Sequence, residues 1–154
     1  MIEGDDMLHA GISGVMMPVL PGWEDLSQIT VAAVRDGFRH NLVLTVRELC
    51  GRTVKAFIDD HIANLYGTLA DFMMNLEESV AFGRHDGRLI DYEFTSNGDA
   101  FRQRQFFVFR GERVYNFTYT DLLGQFEANM TIMEQIIGST RFAEDGPSND
   151  RFEV

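Results

Sequence analysis

Residues able to do chemistry are few in this chain and do not converge. The four histidines, His9, His40, His61 and His85, fall in four different expected elements, and none has a metal-ligand spacing such as H-E-x-x-H. Asp59-Asp60-His61 places two acids beside an imidazole. On a helix, however, consecutive side chains point about 100° apart and cannot meet on one ligand. Cys50 is the one cysteine, which excludes an internal disulfide and a cysteine-based zinc site. It stands at a strand end before Gly51, with no helix amino terminus to support a thiolate, and reads as a small half-buried residue. Gly11-Ile12-Ser13-Gly14 matches neither a phosphate loop nor the G-x-S-x-G elbow. Glu77 and Glu78 occupy adjacent strand positions and so face opposite ways. The expectation is a protein without catalytic residues, metal or cofactor, in which function belongs to a surface.

The elements that would build that surface are clearer. Residues 102–120, RQRQFFVFRGERVYNFTYT, form two aromatic strands about an Arg110-Gly111-Glu112 turn. Phe106 to Phe109 is an unbroken apolar run, while Tyr115, Phe117 and Tyr119 alternate with Asn116 and Thr118. Further strands are expected at Gly14 to Met17, Leu26 to Val34, Leu42 to Leu49, Glu77 to Phe82 and Leu89 to Ser96. Turns fall at Leu20-Pro21-Gly22, Arg35-Asp36-Gly37 and Asn97-Gly98. A helix capped by Thr53 is expected from Val54 to Phe72, its wide stripe including Phe57, Ile58, Leu65, Leu69 and Phe72. A second, from Gln125 to Ile137, turns Phe126, Met130, Met133 and Ile137 inward. The order gives an α+β domain over residues 1–142, an antiparallel sheet flanked by helices. Residues 143–154 have the composition of a flexible acidic tail.

Bulk properties narrow the partners. The chain has 154 residues, 13 basic against 24 acidic, and a formal net charge of -11. Such a charge repels nucleic acid and anionic lipid surfaces. The amino terminus is acidic where a signal peptide is basic, and no window approaches the ~20 apolar residues of a membrane span. A cytoplasmic location is therefore expected.

Two strands have unusual faces. Ile29, Val31 and Ala33 lie on one face of the first, and Gln28, Thr30 and Ala32 on the other. In the Arg-Gln strand, Phe101, Gln103, Gln105, Phe107 and Phe109 oppose Arg102, Arg104, Phe106 and Val108. Glutamines set between phenylalanines suit a mostly apolar groove with a few amide partners. Taken alone, the same pattern favours a plain core reading, since a Phe and Leu stripe at such spacing usually fills a core.

Taken together, LPGWEDLS at 20–27, NLVLTVREL at 41–49, Phe57-Ile58-Asp59-Asp60-His61-Ile62, DYEFTSNG at 91–98, residues 102–120 and Ser139-Thr140-Arg141-Phe142 resemble the DcrB-like family. Within it they resemble the Eag chaperones (effector-associated gene products) of bacterial type VI secretion. The resemblance runs from about Gly14 to Phe142, with the Pro-Gly-Trp-x-Asp-x-Ser turn and Arg104-Gln105 its most specific pieces. It implies a PsbP/Mog1-like sheet, a homodimer, and a concave apolar groove in each subunit. The groove would shield the amino-terminal transmembrane helices of a secreted effector and help load it onto the secretion spike. Carried over by position, the client-helix groove comprises Gln28, Thr30, Leu44, His61, Leu65, Leu69, Phe101 and Gln105. Gln28 and His61 depart from an apolar lining, which puts either polar client contacts or a one-residue slip of register in play. The alternatives are a periplasmic lipoprotein like the founding DcrB proteins, or a module holding a small molecule in the same groove.

Overall fold

Phe106, Phe107, Val108 and Phe109 are all buried, which only a central strand covered on both faces allows. The computed structural model describes residues 9–12, 15–18, 21–22 and 28–142. A short hairpin pairs β1 (His9–Ile12) with β2 (Val15–Pro18). The main sheet comprises β3 (Gln28–Arg35), β4 (Phe38–Glu48), β5 (Ala70–Phe82), β6 (His85–Ser96), β7 (Asp99–Arg110) and β8 (Arg113–Leu122). Its six strands lie in the order β3-β4-β8-β7-β6-β5, every neighbouring pair antiparallel. Two helices, α1 (Val54–Thr68) and α2 (Leu123–Gly138), pack on opposite faces. The α+β fold with an antiparallel sheet and flanking helices is therefore as the sequence implies.

Alternation distributes β7 between two cores. Phe106 and Val108 join Leu42, Leu89, Phe117, Phe126, Met133 and Ile137 under α2. Phe107 and Phe109 join Phe57, Ile58, Ile90, Tyr92 and Val114 under α1. Phe57 meets both Phe107 and Phe109 edge to face, at centroid separations of 6.2 and 6.1 Å. The expected stripe of α2 is confirmed, with Met130 partly buried beside its three buried partners.

The tight turns follow their residues. Asp36-Gly37 and Asn97-Gly98 carry positive φ at both central positions, 49° and 78° in the first, 49° and 84° in the second. This is the mirror-image turn that suits a two-residue hairpin. Gly22, at φ 82°, matches the turn expected after Pro21.

Three expectations are corrected. First, α1 ends at Thr68, not Phe72; Leu69 is already extended, with φ -100° and ψ 132°. Leu69 and Phe72 fit helical spacing but pack from the following strand, since Gly67 and Thr68 are weak helix formers. Secondly, β5 starts at Ala70 and has register shifts before Met73 and before Leu76, bulges that obscure its alternation. Thirdly, Cys50 is exposed in the β4–α1 connection, at φ 54°. Thr53 does cap α1, its hydroxyl accepting from the Ala56 amide at 3.1 Å. The Trp23 turn and the expected tail, residues 143–154, lie outside the described residues.

On the α2 side, Asp91 is fully buried and held by two arginines of the adjacent strand. Arg102 grips both its oxygens, at 2.8 and 3.0 Å, and Arg104 donates at 2.8 Å. Asn75 adds a bond of 3.0 Å, and the Arg102 guanidinium lies 4.4 Å over the Phe126 ring. Burial alone would raise the Asp91 pKa, but the donors from Arg102, Asn75 and Arg104 outweigh it and the net shift is downward. Removing the carboxylate in Asp91→Ala leaves two arginines short of a partner, and we expect a loss of about 3 kcal/mol in denaturant unfolding at neutral pH. Because the folded value lies below the unfolded one of 3.8, this stabilisation is complete above that pH and fades as pH falls through the folded value. The gap between native protein and variant should therefore narrow in acid; a gap independent of pH would contradict the assignment.

Candidate functional site: the α1 side of the sheet

Helix α1 covers only part of its face. Its core residues reach β6, β7 and the Val114 end of β8. Beyond them, Asn116, Thr118 and Thr120 of β8, with Asn41, Val43 and Thr45 of β4, remain half-exposed, and Gln28, Thr30 and Ala32 of β3 are exposed. Among the described residues, no helix covers this strip. Its rows follow from register: Thr30, Val43, Thr118 and Gln105 are direct neighbours across four strands. So are Ala32, Asn41, Thr120 and Gln103. From β3 through β4 to β8 the uncovered strip is two inter-strand steps, about 10 Å, widened onto β7 at Gln103; a helix with its side chains is about 10–12 Å across.

Between Arg39 and Arg47, which stand at its two ends, the floor is uncharged and largely satisfies itself. His61 Nε2, on α1, donates to Gln105 Oε1 at 2.7 Å, and Gln105 Nε2 donates to the Tyr92 hydroxyl at 2.8 Å. The Tyr92 hydroxyl donates in turn to Gln103 Oε1, and Gln103 Nε2 to Thr120 Oγ1. Gln28 donates to Thr30 at 3.1 Å, and Thr118 to Asn116 at 3.3 Å. With these groups engaged, methyls and methylenes dominate what a visitor would touch, and desolvation costs less than the residue types suggest. Burial, with the Arg47 charge, holds the His61 pKa below the ordinary histidine value against the opposing hydrogen bond from Gln105. Burial also pushes the Tyr92 phenol up, aided by Asp91. Both groups therefore stay neutral near pH 7.

Of the sequence-derived groove residues, Gln28, Thr30, His61, Leu65, Leu69, Phe101 and Gln105 lie on this side of the sheet. Leu65 and Leu69 pack half-buried on the α1 core, and Phe101 stacks on Phe94 at 5.5 Å. Gln105 is buried, and both ends of its amide are used internally. Leu44 is placed elsewhere. It stands opposite Ile29 and Phe117 and belongs to the α2 core, because odd and even positions of β4 face opposite ways. Val43 and Thr45 occupy the positions on the strip that Leu44 was expected to hold. Those two, with Asn116, Thr118 and Thr120, are the floor residues that the sequence reading did not select. The alternation of Asn116 and Thr118 with aromatics was their signal.

Chemistry is sparse here. Asp59 pairs with Lys55 and Asp60 with Arg52 on the solvent side of α1, apart from the strip. Among the described residues no group of three histidine, cysteine, aspartate or glutamate side chains converges as a metal set would. Nor is any described helix long and apolar enough to cross a membrane.

No protein-family model matches the chain, and no curated protein does. Solved structures do. A protein of unknown function, PA94 from Pseudomonas aeruginosa, aligns with TM-score 0.79 at 16% identity over 88% of this chain and 96% of its own. LpqN of Mycobacterium tuberculosis, involved in cell envelope biogenesis, gives 0.51 at 14% identity, covering 76% and 84% respectively. Cyanobacterial PsbP (CyanoP) from Synechocystis sp. PCC 6803 gives 0.50 at 8%, covering 79% and 82%. At such identities the likeness is one of architecture: this chain has a PsbP-like α+β fold.

Proposed function

We propose that the strip beside α1 holds an apolar helix of another protein, and that the chain is a chaperone and adaptor for the membrane-seeking amino-terminal region of a secreted effector. The observation that carries the reading is the open lane between α1 and the sheet edge, free of charge from Asn41 to Thr45 and bounded on the same face by Arg39 and Arg47. The strand beneath it is long enough for the occupant: β4 has 11 residues, which extend about 36 Å against about 30 Å for a 20-residue helix, and Arg39 and Arg47 bound the charge-free middle of that length.

The lining suits it too. Threonine, alanine, asparagine and glutamine are the residues with which membrane helices pack on one another, through close approach and side-chain hydrogen bonds. Each large apolar side chain withdrawn from water gains about 1.5–3 kcal/mol, so a helix laid along the lane is stabilised by several such contacts. The surrounding acidic surface, at a net charge of -11, keeps the loaded complex soluble and away from anionic membranes. The resemblance to Eag chaperones adds a cytoplasmic setting, a homodimer and delivery to a type VI spike.

The test is co-expression with a tagged segment of about 20 apolar residues containing small-residue positions, such as an effector's first transmembrane helix. The native protein should retain the segment in the soluble fraction. Thr30→Arg and Val43→Arg should each lower recovery at least tenfold with an unchanged thermal unfolding midpoint; recovery that survives both changes would remove the lane from the account. Asp59→Ala and Cys50→Ala should bind as the native protein does. A loss on either would direct attention back to a chemical site at those residues.

A further inference from the structure

The lane beside α1 carries charge at its two ends only. Among the described residues of β3, β4 and β8, Arg39 and Arg47 alone bring a charge to that face. Alternation along β4 puts them there: His40, Leu42 and Leu44 turn to the α2 side, so the odd positions turn to the lane. Arg47 stands near His61 of α1, where burial and then the Arg47 charge hold the imidazole below the ordinary histidine value. Both arginines are exposed, and among the described residues neither is paired with a carboxylate. Arg52, Lys55, Arg102 and Arg104, by contrast, each hold an aspartate of this chain.

The spacing sets a length. Positions 39 and 47 are eight steps apart on β4, about 26 Å. A helix covers that distance in about 18 residues, within the range of roughly 17–25 apolar residues that crosses a bilayer.

We infer that the lane takes an apolar helical segment of about 18 residues with an acidic side chain at each end, the two carboxylates pairing with Arg39 and Arg47. This assignment rests on the reading of the lane as a client site and adds the chemistry of the client's flanks. The acid matters most at the guest's amino-terminal end. A helix is positive there and would meet an arginine unfavourably, whereas the free carbonyls of the other end accept from one directly. An aspartate or glutamate at the amino terminus reverses that sign, whichever way the guest runs. Helices that stay in the bilayer carry lysine and arginine on their cytoplasmic flanks. Two arginines repel such helices and favour acid-flanked ones, a distinction that apolar contact alone cannot make.

The test uses the full chain and one apolar segment of about 18 residues, flanked at both ends by aspartate, by serine or by lysine. Each form is made by cell-free synthesis without membranes, in the presence of the purified chain, and the soluble complex is recovered on the chain. At about threefold for each exposed pair, the aspartate form should be recovered roughly tenfold better than the lysine form, with serine between. About 1 M salt should remove most of that difference. Aspartate at the amino-terminal flank alone should help more than aspartate at the other flank alone. Arg39→Glu combined with Arg47→Glu should invert the order of the three forms. Equal recovery of all three by the native chain, or an order that the double variant keeps, would overturn the charge assignment and leave the lane as a client site. Recovery of none would overturn both.

Discussion

Burial of β7 on both faces is the constraint from which the rest of the architecture follows. One strand cannot turn Phe106 and Val108 one way and Phe107 and Phe109 the other without a cover on each side. Both helices are used for that purpose. Seated over β6 and β7, α1 cannot also reach β3 and β4, so its face of the sheet is left partly bare. The open lane is thus the geometric remainder of a core packed around an off-centre helix.

The two faces differ in how they use polar groups. On the α2 side, charges are sunk among aromatics and paired closely, Asp91 by two arginines and Asp121 by Tyr119 and Asn129. Such pairing fixes one packing arrangement, because an unpaired charge in that setting is costly. On the α1 side, between Arg39 and Arg47, the polar groups are neutral amides and hydroxyls, several of them linked in sequence from His61 to Thr120. A neutral, mutually satisfied floor can be wetted or covered at small cost either way. That property suits a surface that must hold a guest and later release it.

Much of this was legible in the chain. The aromatic alternation of 113–122, the Asn97-Gly98 turn and the stripe of α2 each announce their element through period and turn chemistry. The two-faced character of β7 could be read from Arg102, Gln103, Arg104 and Gln105 alone. What failed did so for local reasons. Leu69 and Phe72 satisfy a helical spacing while packing from a strand, and register shifts between Ala70 and Met73 and at Asn75 erase the alternation of β5. Leu44 was assigned to the lane by resemblance, whereas pairing with Ile29 and Phe117 sends it to the other face. The buried hydrogen-bonded set of His40, Tyr119, Asp121 and Asn129 has no linear signature, since it is assembled from β4, β8 and α2 only by folding.

The central claim concerns which face of the edge strand meets the guest, and adjacent exposed positions on β3 separate the possibilities. A photo-crosslinking amino acid placed at Thr30 points to the α1 side, and at Ile29 to the α2 side. With a bound apolar helix present, the account predicts a covalent adduct from position 30 and none from position 29. Adducts from position 29 alone, or from neither, would contradict it.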